Sequence, residues 1–100
     1  MTALTGAGWY FCASHYDDVR QELHGHTYEV VAWWPADPSQ DALMLQRTLQ
    51  NALAAFDHKT LPPEITRAED LRKAIVARLT GCVGLDIGRP VERLFVSWRA

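Results

Sequence analysis

One hundred residues, 48% of them apolar and 22% charged, describe a single globular domain over 1–100 with room for one modest core. A net charge of −2, with the basic residues scattered along the chain, gives no electrostatic reason to expect nucleic acid or an anionic membrane as a partner. No apolar run approaches the ~20 residues of a membrane span, the first residues lack the positive region of a secretion signal, and Cys12 and Cys82 lie in no CxxC pair; a cytoplasmic chain with two small free thiols is expected.

In chain order, "WYFCASH" (residues 9–15) and "TYEVVAWW" (residues 27–34) are rich in aromatic and β-branched side chains at strand length, with the polar "YDDVRQELHG" between them. Two antiparallel strands follow from their proximity. "PADPSQD" breaks the pattern, and Ser39 or Asp41 can cap a helix in which Leu45, Leu49, Ala52, Leu53 and Phe56 recur at three- and four-residue steps. That helix ends near "FDHKTLPP". Thr66, with Glu69 three residues on, offers a second cap, and Ala68, Leu71, Ile75 and Leu79 form an apolar stripe that closes at Gly81, which predicts a helix over 67–80. After "GCVGLDIGRP", the alternating "VERLFVSWRA" finishes the chain as a strand. The order is ββααβ, an α+β domain with an antiparallel sheet and two helices.

Two helices can cover only one face of such a sheet, yet the second strand is apolar on both: Tyr28, Val30, Ala32 and Trp34 on one side, Val31 and Trp33 on the other. Exposed apolar surface and free strand edges predict an oligomer whose sheets join edge to edge. The histidines raise a second question. Residues two apart on a strand share a face, so His24 and His26 present two imidazoles side by side if the strand begins at or before His24. His15, ending the first strand, lies beside the start of the second. Three neutral imidazoles with an open fourth position are the pattern of a catalytic zinc site, while the same spacing also suits solvated turn histidines; spacing alone leaves both readings open.

"FCASH" followed by "LHGHTYEV" resembles the paired zinc motifs of the 6-pyruvoyl-tetrahydropterin synthase and 6-carboxy-tetrahydropterin synthase family. "FDHKTL" is similar to that family's Asp-His segment after the first helix, and "TRAEDL" falls where the family opens its second helix. The resemblance runs over nearly the whole chain. It implies the tunnelling fold, with antiparallel sheets closing into a barrel as a homotrimer or homohexamer. It also implies a zinc-dependent lyase: zinc on His15, His24 and His26, a relay of Asp57 and His58 approaching the zinc site of a neighbouring subunit, and a pterin as small-molecule substrate.

Two departures stand beside the matches. No cysteine precedes "HGH" within "YDDVRQEL", and Cys12 points away from the ligand face by its odd spacing from His15, so the base must be sought in Glu22, Asp17 or Asp18. Glu22, two residues before His24, is the expected one. The family's pterin-binding glutamate is also absent: Trp98 stands at that position, and Arg67 stands where a pterin-contacting threonine is expected. A guanidinium and an indole favour an anionic or stacked group. Three readings follow: a pterin lyase, a zinc enzyme of the same fold with an anionic non-pterin substrate, or a non-catalytic zinc-stabilised oligomer that binds a ligand.

Overall fold

The computed structural model describes residues 3–17 and 22–100. Two long strands, β1 (Leu4–Asp17) and β2 (Glu22–Pro35), form an antiparallel pair in continuous register from Leu4 opposite Pro35 to Asp17 opposite Glu22. Helix α1 (Ala42–Leu53) follows, then a two-residue strand β3 (Lys59–Thr60), helix α2 (Ala68–Val76), and strands β4 (Gly84–Arg89) and β5 (Leu94–Arg99). The sheet order is β3-β1-β2-β4-β5, antiparallel except for the short β1–β3 pairing.

The expected α+β architecture is present, with five strands where the sequence suggested three. Both helices pack on one face. Leu45, Leu49 and Leu53 of α1 and Leu71 and Ile75 of α2 bury against Phe11, Tyr28, Val30, Ala32, Leu85 and Ile87. The apolar period of each helix therefore meets the period-two face of the sheet that carries the odd residues of β1 and the even residues of β2. Asp41 caps α1 through a side-chain oxygen that accepts from the Leu43 amide at 2.9 Å. Arg67, not Thr66, stands at the cap position of α2, where its backbone amide donates to the Asp70 carboxylate at 3.1 Å. The helix also ends at Val76, earlier than the stripe predicted, and the chain continues in turns to Gly81, whose φ of 78° suits the residue without a side chain. Among the described residues, no helix is long and apolar enough to cross a membrane.

Candidate metal centre

The unbroken register fixes where the histidines stand. His15 lies directly opposite His24, and Ala13 opposite His26, so all three imidazoles project from the helix-covered face at one end of the β1–β2 pair. Ring centroids are 5.0 Å apart for His15–His26 and 6.2 Å for each of the other two pairs. The Nε2 atoms of His15 and His26 approach to 3.1 Å. Two imidazole nitrogens on one tetrahedral zinc, each at about 2.0–2.1 Å, stand about 3.3 Å apart, so this pair is close to ligating separation.

Among the described residues, no set of three or more His, Cys, Asp or Glu side chains is already drawn up around one point as it would be around a bound ion. His26 is held from both sides of its ring. Its Nε2 accepts from Arg89 Nη1 at 3.1 Å as well as meeting His15, while its Nδ1 lies 3.4 Å from the Glu92 carboxylate. These partners assign the tautomer: Nδ1–H toward Glu92 and the Nε2 lone pair toward the cluster. Burial first, then the charges of Arg89 and His15, hold the His26 imidazole below its usual range against the opposing pull of Glu92. A neutral imidazole with its lone pair toward two others is the donor chemistry zinc requires. His15, His24 and His26 are thus of the donor type zinc takes, although the three are not drawn up around one point.

A cavity of about 550 Å³ lies beside His15 between the sheet and α2, with His15, Tyr16, Tyr28, Thr66, Arg67 and Arg89 at its polar positions. Apolar walls come from Leu71, Ile87 and Val96. Tyr28 meets His26 edge-on at 5.9 Å, and burial raises its phenol above the usual range, which keeps it a neutral hydrogen-bonding group.

Asp57 and His58 sit elsewhere. Asp57 Oδ1 accepts from the Cys12 amide at 3.0 Å and lies 3.0 Å from His58 Nδ1, which ties the end of α1 to the β1 edge and orients the imidazole. The Cys12 amide, more than His58, holds the Asp57 carboxyl below its usual range. His58 adopts a left-handed φ of 56°, held by its amide donating to the Cys12 carbonyl at 2.6 Å, and its side chain is 82% exposed. His58 lines a separate depression of about 420 Å³, together with Cys12, Thr27 and His26. Within one chain, Asp57 and His58 are in contact but neither lines the 550 Å³ cavity.

Trp98 is not at the cavity. It pairs with Leu85, which pairs with Ala32, eight residues along β2 from His24; at 3.3 Å per residue this is about 26 Å of strand. Its ring lies 5.1 Å under the Arg72 guanidinium, itself buried and paired with Glu69. A joint recognition role for Trp98 and Arg67 is therefore not assembled within one chain. Cys12 hydrogen-bonds Thr27 on the opposite face from the imidazoles, as its spacing required. Asp18 and the side chains of Asp17 and Glu22 lie outside the described residues; the Glu22 backbone opens β2. Two residues that sequence reasoning missed, Arg89 and Glu92, touch His26 directly. Once "GLDIGR" is recognised as a strand, Arg89 falls on the face of Leu85 and Ile87 and the first of them becomes legible.

An antiparallel sheet bearing two helices on one face and a histidine cluster at one end defines the α+β class seen in the tunnelling fold. The chain superposes on Caenorhabditis elegans 6-pyruvoyl tetrahydropterin synthase with a TM-score of 0.78, covering 100% of this chain and 96% of that one at 14% sequence identity. At that identity the fold is what is shared. No protein-family model matches the sequence, and no curated protein matches it.

Proposed function

We propose that the chain is a zinc-dependent lyase of the 6-pyruvoyl/6-carboxy-tetrahydropterin synthase type, acting on a dihydroneopterin-type or related hydroxy-carbonyl small molecule. The observation that carries this reading is the clustering of His15, His24 and His26 at one end of the β1–β2 pair, with His15 on the wall of a ligand-sized cavity, in a fold shared with such a synthase. Zinc, held by these three imidazoles, supplies a Lewis acid for the substrate's hydroxyl or carbonyl oxygens. Glu22, two residues before His24, is the proposed base in place of the family's cysteine. Asp57 holds His58 in one tautomer and makes it ready to move a proton, and because it does not line the 550 Å³ cavity of its own chain, its place of action is a neighbouring subunit's site. The working form is thus a homotrimer or homohexamer.

One observation favours a variant of this reading. No Asp or Glu is among the described residues lining the cavity, whereas Arg67 is, so an anionic substrate other than a pterin suits the pocket better than a neutral pyrimidine edge.

The test is metal content together with turnover. Purified protein is expected to carry about one zinc per chain and His24→Ala to lose most of it, since two imidazoles bind far more weakly than three. Stoichiometric zinc in His24→Ala sinks the metal assignment. Turnover of dihydroneopterin triphosphate supports the pterin lyase and turnover of hydroxy acids the anionic variant. Zinc retained with neither activity points to a zinc-stabilised binding oligomer.

A further inference from the structure

Arg89 ends β4 on the helix-covered face, and its guanidinium reaches across to the histidine cluster. Among the described residues it enters no ion pair; its hydrogen-bond partner is the His26 Nε2 lone pair. That arrangement is one-sided. A nitrogen lone pair can accept an N–H or bind a metal, but not both, and a cation held 3.1 Å from Nε2 also repels an incoming dication. Glu92 fixes the other side of the same ring, so the lone pair cannot turn away from this competition by exchanging tautomers without losing its carboxylate partner.

The displaced guanidinium has somewhere to go. Arg89 and Arg67 both line the 550 Å³ cavity, with the hydroxyls of Tyr16 and Tyr28 and no carboxylate among its described lining residues. Two arginines on the wall of a partly enclosed space, with no acidic residue among its described lining, make a site for an oxyanion, which a guanidinium binds bidentately.

We propose that Arg89 is a movable oxyanion-binding arm of this cavity, parked on His26 Nε2 until a metal takes that nitrogen and then released to join Arg67 on a carboxylate or phosphate of the ligand. The release step rests on the zinc reading above. Metal and anion are then linked: zinc binding creates the free guanidinium, and by reciprocity a bound anion that holds Arg89 away from His26 strengthens zinc binding.

One substitution separates this role from a structural one, because it moves the two affinities in opposite directions. In calorimetric titrations of the full chain, Arg89→Met is expected to tighten zinc about tenfold by removing the competitor, and to weaken inorganic phosphate binding to the zinc-loaded protein at least tenfold. Acetate in place of phosphate tells whether a carboxylate suffices. Arg89→Lys, which keeps the charge and most of the packing, is expected to bind phosphate more tightly than Arg89→Met. Zinc binding that is unchanged or weakened in Arg89→Met overturns the proposal, as does phosphate binding indifferent to the substitution. Failure of the zinc reading shows separately, as zinc retention by His24→Ala in the same titration.

Discussion

At the scale of single residues, Asp86 shows how a carboxylate holds the sheet together away from the histidine cluster. It sits in β4 and accepts from Trp33 Nε1 in β2 at 2.9 Å and from Ser97 and both Arg99 terminal nitrogens in β5, so one side chain joins three strands. Burial pushes its pKa up, but the donors from Arg99, Ser97 and Trp33 outweigh it and bring the carboxyl from 3.8 down to about 2. A depressed carboxylate stabilises the fold above its unfolded pKa, and the contribution is lost as pH falls through the folded value. The window is therefore pH 4 down to 2. Thermal melts should show the wild type losing more stability across that window than Asp86→Asn, which starts lower at neutral pH by about 1–2 kcal/mol. Parallel loss in both proteins would remove Asp86 from the account. The same contrast marks what was legible in the sequence. His15, His24 and His26 could be placed on one face because strand alternation needs only local spacing, whereas Asp86, Arg89 and Glu92 act through partners 11 to 66 positions away.

At the scale of elements, β4 explains most of what the sequence concealed. "GLDIGR" carries glycine at both ends of its apolar alternation, which reads as a loop, yet Gly84, Leu85, Ile87 and Gly88 are all buried. Gly88 is required by its neighbour strand: a Cβ there would collide with the Phe95 ring, at 2.6 Å from Cε1, and stand 2.7 Å from the Leu94 carbonyl oxygen. Since the second contact is backbone, a rotamer change cannot relieve it. Gly88→Ala is accordingly expected to cost about 1–3 kcal/mol, read as a lower denaturant midpoint, and to exceed Gly84→Ala, whose new Cβ has side-chain atoms of Arg99 and no backbone atom as its nearest neighbours. Equal midpoints for the two variants would mean that β5 yields more easily than its pairing suggests. The helices were easier to read because a 3.6-residue period and a cap such as Asp41 are local signals. The strand ends were harder: "LTGAG" has little intrinsic strand preference, and its continuous pairing with β2 from Pro35 to Val31 recruits it into β1.

At the scale of the whole molecule, the long β1–β2 pair draws the chain out to 48 × 25 × 23 Å and separates functions that a shared site would need together. The imidazoles and Arg67 face the helix side, His58 lines the depression beside the β1 edge, and Trp98 lies far along the sheet. The sheet face away from the helices leaves Tyr10 and Leu23 exposed, and β5 has a free edge. A neighbour that pairs with such an edge can bring its own Asp57–His58 to the cluster of this chain. If the active unit is built that way, sedimentation should give three or six times the chain mass, and two inactive variants should repair each other. His24→Ala chains lack the metal but keep the relay; His58→Ala chains keep the metal and lack the relay. Unfolded and refolded together in equal amounts, a random assembly places an intact cluster against an intact relay at about one interface in four, so about a quarter of wild-type turnover should return. A site contained in one chain gives no recovery at any mixing ratio, and mixed oligomers of the right mass that stay inactive would assign Asp57 and His58 to docking α1 on β1 alone.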